Sequence, residues 1–153
     1  MKTLLLSAII LISSIAAFSQ IRTGRIKTKE ELLNEQYCSG LFNTSDGIYF
    51  DMLNDNGTVS ASAYHNILDW LQGRVAGLQV YTSRYNELIP FIRNSRASIY
   101  VDEILMSPDY LNSLPITDIA MIKIIKAPSA GFGGPGGVIA IYTIGTDDED
   151  EEE

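Results

Sequence analysis

A glycine loop near the C-terminus of this 153-residue chain has the residue spacing most suggestive of a binding site. Gly131, Gly133 and Gly136 satisfy the pattern G-x-G-x-x-G, with which dinucleotide-binding domains hold a pyrophosphate at a helix N-terminus. That chemistry requires a helix after the loop, but Val138–Thr143 is a run of β-branched and aromatic residues typical of a strand. Pro135 also interrupts the loop. The sequence therefore argues against a nucleotide site.

Side chains for nucleophilic or metal chemistry are scarce. His65 is the sole histidine and Cys38 the sole cysteine, so neither a Ser-His-Asp triad, nor a histidine- or cysteine-based metal site, nor an internal disulfide can be assembled. The acidic run Asp147–Glu153 would attract Ca²⁺ only weakly, because a calcium site needs oxygens fixed around one ion. A disordered, solubilising tail is the favoured interpretation. We expect a protein that is not an enzyme and needs no cofactor.

The N-terminus has the features of an export signal. Met1–Ser19 combines Lys2, an apolar stretch and a small-residue close, which predicts export to the periplasm with cleavage after Ser19. Its apolar stretch is shorter than the ~20 residues that span a bilayer, and we expect no membrane span in the mature chain. The net charge of −8 comes mainly from the acidic tail, which argues against a nucleic-acid partner.

The remaining sequence predicts strands interleaved with two helices. We expect a helix over Ala63–Ala76 capped by Ser62, and a short helix over Asp109–Leu114 after Ser107-Pro108. The strands are predicted at Leu78–Thr82, Pro90–Asn94, Ala97–Asp102, Ile119–Lys126 and Gly137–Ile144, with a less certain pair within Gly47–Val59. This order indicates an α+β (α/β) fold, a small domain with a mixed sheet of about four to six strands and two helices.

Four segments resemble, in the family's order, the plug domain of TonB-dependent outer-membrane receptors of the nutrient-importer type. They are Leu68–Val80, which is similar to the first helix and strand, Phe91–Asn94 at the Ile-Arg-Gly strand, Ile99–Glu103 at the Val-Asp-Gly hairpin, and Asp118–Ala130 at the end of the plug. Asn94 and Glu103 replace glycines of the family, so a wider turn is expected at Asp102-Glu103. The resemblance implies a plug fold that, within a receptor, occludes the barrel lumen and relays ligand binding to the energy-transducing protein.

The domain organisation follows from these observations: residues 1–19 are a signal peptide, 20–46 a partly disordered leader, 47–146 a plug-like domain and 147–153 an acidic disordered tail. Because only a few acidic residues follow Ile144, the sequence predicts a plug-like domain that stands alone, without a β-barrel. We expect it to bind an outer-membrane β-barrel or another envelope protein in trans. The alternatives are a secreted module that binds a small ligand or an ion, and a receptor remnant without present activity.

The candidate partner-binding residues lie in two places. Arg93 occupies the position that, in the resemblance, faces acids lining the barrel. The glycine loop supplies Gly131, Phe132, Gly133 and Gly134, because glycines leave a loop adaptable and an aromatic side chain can anchor a partner.

Overall fold

The computed structural model describes residues 26–38, 40–44, 46–54, 57–126 and 135–145 of the chain. The described residues form an α+β fold, as the sequence predicts. Its helices are α1 (Lys29–Tyr37), α2 (Gly57–Ala61) and α3 (Ile67–Leu71). Its strands are β1 (Ile48–Asp51), β2 (Leu78–Thr82), β3 (Leu88–Ile92), β4 (Ser95–Arg96), β5 (Ser98–Val101), β6 (Ile104–Met106), β7 (Ile119–Ile125) and β8 (Val138–Thr143). Two 3₁₀ turns, Pro108–Asn112 and Ile116–Asp118, lie between β6 and β7.

Five strands form the large sheet, in the order β1-β7-β8-β5-β6. All neighbours in it are antiparallel except β5 and β8, which run parallel. Every residue of the interior strand β7 is buried, so both faces of the large sheet are covered at this strand. This explains why β7 is a continuous apolar run broken only by Lys123, since a strand buried on both faces need not alternate with polar residues.

A separate small sheet, which the sequence did not predict, contains β2, β3 and β4 in antiparallel order. Its inner face packs Leu78 and Ile92 into the main core, where they meet Leu68 and Leu71 of α3 and Ile124 of the large sheet. The small sheet and α3 together cover one face of the large sheet. Burial of this apolar layer is the main stabilising contribution to the fold.

The second face of the large sheet is covered by a segment that the sequence had assigned to the leader. Leu33 of α1, Cys38 and Phe42 are buried there against Tyr100 and Met121. Helix α1 begins with a capping box. The Thr28 hydroxyl accepts a hydrogen bond from the Glu31 N–H, and the Glu31 carboxylate accepts one from the Thr28 N–H. The described part of residues 29–44 therefore contributes to the core.

The predicted helix over Ala63–Ala76 is wrong in its length. Asn66, and not Ser62, caps α3, because its side chain accepts a hydrogen bond from the Leu68 N–H at 2.9 Å. The helix ends after Leu71, and Gly73 adopts a φ of 87°, which only glycine adopts without strain. Apolar spacing alone could not show this end, because the later apolar residues pack from a turn and a strand.

The wider turn expected at Asp102-Glu103 is also wrong. Val101 pairs with Ile104, so the two residues between them form a two-residue hairpin turn, and both have positive φ, 47° and 66°. Neither residue is a glycine, and hydrogen bonds to both side chains stabilise the turn. Asp102 accepts bonds from the Thr143 N–H (2.9 Å) and hydroxyl (2.8 Å), and Glu103 accepts bonds from the N–H groups of Gly40 and Leu41.

Candidate functional site

Arg93 lies at the exposed turn that joins β3 to β4, where Ile92 pairs with Ser95. Arg93 and Asn94 both have positive φ, 52° and 64°, as a two-residue hairpin requires. The Arg93 N–H donates to the Gly77 carbonyl at 3.1 Å, which fixes the turn against the start of β2. Among the described residues, the Arg93 side chain has no ion pair or hydrogen bond, so its guanidinium is available to a partner.

The other predicted site residues, Gly131, Phe132, Gly133 and Gly134, lie outside the described residues. The two ends of their loop are described, and both lie against the small sheet or the turn before it. Lys126 donates from Nζ to the Ala76 carbonyl at 2.7 Å.

On the other side of the loop, Gly136 approaches β4 so closely that a Cβ atom there would be 2.2 Å from the Ser95 carbonyl oxygen. Gly137 has a φ of 83°, and a Cβ atom there would be 2.1 Å from the Ile125 carbonyl oxygen. Glycine is required at both positions because a neighbouring backbone carbonyl occupies the space that a Cβ atom would need. The fold thus brings Arg93 and both ends of the glycine loop to the same end of the molecule.

The outer face of the small sheet carries two aromatic side chains that contact each other. Tyr81 is 53% exposed, and its ring meets Phe91 edge-to-face with the centroids 5.3 Å apart. The Tyr81 hydroxyl donates to Gln79 Oε1 at 2.8 Å, which holds the ring in place. Tyrosines held in this way offer a large contact area at low entropic cost. The contact between Tyr81 and Phe91 depends on the strand register, in which Gln79 pairs with Phe91.

Charge is unequally distributed between the small sheet and the rest of the described chain. Residues 78–96 carry three arginines against one glutamate, whereas the other described residues carry five basic against ten acidic side chains. Only a long ion pair of 3.9 Å, between Arg96 and Glu87, reduces this positive charge. Beside that pair an open groove of about 570 Å³ extends to Leu105, Met106 and Pro135. The small sheet is therefore a basic, partly aromatic surface on a mainly acidic body.

A polar network on the opposite side of the large sheet was missed by the sequence analysis. Lys123 is fully buried, and its Nζ donates to Asn34 Oδ1 (2.6 Å) and to the carbonyls of Phe42 (2.5 Å) and Thr44. The ammonium also lies 4.9 Å from the centre of the Tyr49 ring. Burial lowers the pKa of Lys123. A lysine within an apolar strand was the available signal, but its acceptors come from distant residues.

The neighbouring Cys38 lies in the same layer, between α1 and the large sheet. Cys38 is buried, and burial raises the pKa of its thiol, although a hydrogen bond with Tyr142 opposes that shift. A thiol that stays protonated at neutral pH is unreactive. Within the described ranges, no three His, Cys, Asp or Glu side chains come together as a metal site. The helices of the described residues are too short or too polar to cross a membrane.

Comparison with known proteins finds structural similarity only. No protein-family model matches the chain. No curated protein matches it either. The solved structure of the RagAB peptide importer in its open-open state matches with a TM-score of 0.50 and 22% identity, over 65% of this chain and 12% of the importer chain. The closed-closed state of the same importer gives a TM-score of 0.48 with the same identity and coverage. About two thirds of this chain is therefore similar in fold to a small part of the importer chain.

Proposed function

We propose that this chain is a plug-like domain of the TonB-dependent receptor type, which acts in outer-membrane transport as a non-enzymatic, protein-binding module. The observation that carries the proposal is the agreement of two similarities, one in sequence and one in fold. Four segments resemble the plug family in sequence order, and the fold that contains them is similar to part of a peptide importer. The described parts of these four segments include the two hairpin turns, at Arg93-Asn94 and Asp102-Glu103, and the interior strand β7.

The partner in this proposal is an outer-membrane barrel or another envelope protein, bound in trans from the periplasm. The exposed, unpaired guanidinium of Arg93 supports this assignment, since an arginine at a protein surface binds carboxylates with two parallel hydrogen bonds. The basic charge of the small sheet supports it further, because complementary charge directs association. Arg93 and the loop around Phe132 are the proposed contact residues.

Affinity capture from envelope fractions tests this proposal. The tagged chain should retain an outer-membrane protein, and Arg93→Glu should reduce the amount retained by about tenfold, because a favourable charge contact becomes repulsive. Lys27→Glu is the matched control, as it makes the same charge change at an exposed site near α1. A soluble ligand in place of a protein partner would contradict the proposal and favour a small-ligand binding module. Equal retention by both variants would exclude Arg93 from the contact.

A further inference from the structure

The free edge of β2 is defined by the hydrogen bonds at its two ends. The Arg93 N–H donates to the Gly77 carbonyl at 3.1 Å, and the Ser83 N–H donates to the Glu87 carbonyl at 2.7 Å. Both pairs continue the antiparallel register of β2 with β3. In such a ladder, residues alternate between directing their polar backbone groups towards the partner strand and away from it. The odd-numbered residues from 77 to 83 therefore bond to β3.

The even-numbered residues direct their backbone groups to the open side of the small sheet. The Leu78 N–H bonds back to the Val75 carbonyl at 3.0 Å, but its carbonyl remains at the edge. Val80 and Thr82 each present an N–H and a carbonyl there, and no other described residue bonds to these four groups. Their spacing along the strand, about 7 Å, is the repeat that a further β-strand would match. This edge is therefore a template for strand addition.

The other edge strands of the two sheets are shorter than β2. Strand β4 has two residues, and Gly136 packs against the Ser95 carbonyl. Strand β1 has four residues and ends in a turn in which the Asp51 carboxylate accepts a bond from the Asn54 N–H (2.9 Å). Strand β6 has three residues and soon meets Pro108. In contrast, β2 has five residues and neither proline, charge nor bulge, which are the usual means of blocking an edge.

Positive charge lies at both ends of the β2 edge. Arg84 follows the C-terminal end of the strand, and Arg93 is bonded to Gly77 at the N-terminal end. Both arginines are exposed, and residues 70–86 contain no acidic side chain. A segment that lies along β2 would therefore be favoured when its own ends are acidic. Tyr81 and Phe91 form an aromatic surface on the outer face of the small sheet, on which apolar side chains of the same segment would pack.

From these observations we infer that the β2 edge binds an extended polypeptide segment with acidic ends, which joins the small sheet as a fourth strand. An extended backbone is the ligand that supplies alternating donors and acceptors at this spacing. The inference goes beyond the proposed function, since it rests on strand geometry and local charge and does not depend on resemblance to any receptor. A failed capture experiment would leave it standing, and its own failure would leave the proposed function standing.

The test uses the full chain and a synthetic peptide of alternating valine and threonine with an aspartate at each end. We expect saturable binding, and the Val80 and Thr82 amides should become protected from hydrogen exchange. A peptide with the same side chains but N-methylated on its edge-facing amides should bind about tenfold more weakly, because it loses hydrogen-bond donors. A version with lysine ends should also bind more weakly.

Two protein variants locate the binding edge. Val80→Pro removes an N–H that faces the edge and none that bonds to β3, so it should weaken peptide binding by about tenfold while the fold is retained. Val80→Ala is the matched control, because it loses similar packing but keeps the N–H. The inference is overturned if the N-methylated peptide binds equally well, if Val80→Pro binds like Val80→Ala, or if the protected amides lie outside β2.

Discussion

The two sheets of this domain differ in how completely they are closed. Strands β7 and β8 of the large sheet are covered on both faces, by α3 and the small sheet on one side and by the described part of residues 29–44 on the other, and only the edge strand β6 exposes apolar side chains. The small sheet is covered on its inner face alone, and its outer face exposes Tyr81 and an unpaired strand edge. Strands that are covered on both faces can contribute stability but offer little surface to a partner. We therefore propose that the large sheet is the scaffold and that the small sheet is the recognition surface.

The largest expected effect is the difference in stability loss when a carboxylate is placed in the large sheet and in the small sheet. Ile124→Asp puts an unpaired carboxylate into the fully buried strand β7 and should cost several kcal/mol, about 4 or more, which removes cooperative unfolding. Tyr81→Asp makes a similar change on the exposed face of the small sheet and should cost no more than about 1 kcal/mol. Thermal and urea unfolding would measure both. Similar losses in the two variants would contradict the division between the sheets.

A smaller effect is expected for Lys123, which connects residues 29–44 to the large sheet. Lys123→Met leaves the oxygens of Asn34, Phe42 and Thr44 without their shared donor, so we expect a loss of about 2–3 kcal/mol. Hydrogen exchange should accelerate in α1 and residues 40–44 and remain unchanged in the small sheet. Uniform acceleration throughout the chain would show that the two faces open together.

The same lysine predicts a dependence of stability on pH. Because burial lowers the pKa of Lys123, the folded chain binds fewer protons than the unfolded chain between that lowered value and about 10.4. The free energy of unfolding should therefore gain a positive slope with pH in that window. Lys123→Met should lack this contribution. Identical slopes in the two proteins, measured by urea unfolding, would show that Lys123 titrates alike in both states.

The two hairpin turns offer a comparison with opposite signs. Asn94 and Glu103 have nearly equal positive φ, 64° and 66°, so glycine would relieve backbone strain at either position. Glu103→Gly also loses the bonds from Gly40 and Leu41 and should destabilise the fold by about 1–2 kcal/mol. Asn94→Gly should be neutral or stabilise it by a few tenths of a kcal/mol. Stabilisation by Glu103→Gly would show that its side-chain bonds contribute nothing.

Local sequence patterns predicted part of this structure. The apolar runs of β7 and β8 predicted two strands that the structure contains. The Ser107-Pro108 signal predicted a helix start, and the structure has a 3₁₀ turn there, Pro108–Asn112. Patterns at short range could not show that α3 ends at Leu71 or that β2 belongs to a separate sheet. The acceptors of Lys123 and the donors to Glu103 lie more than 60 residues earlier in the chain. Local patterns therefore could not show that the described part of residues 29–44 packs on the large sheet and is not a loose leader.

The candidate site was predicted to a lesser extent than the fold. Arg93 was identified through a resemblance, and the structure shows it exposed at a turn, near the ends of the glycine loop. Whether Arg93 and Phe132 contact a partner stays a prediction. The β2 edge could not be recognised beforehand, because the groups it exposes are backbone atoms that any residue carries. Only the pairing register shows which of them are free.

Photo-crosslinking tests most directly whether the small sheet is the recognition surface. A benzophenone amino acid is placed at Tyr81 in one protein and at Ile104, an exposed residue of β6 in the large sheet, in another. After illumination of intact cell envelopes, we expect a covalent adduct with an outer-membrane protein from position 81 and little or none from position 104. An adduct from position 104 alone would contradict this expectation and assign recognition to the large sheet.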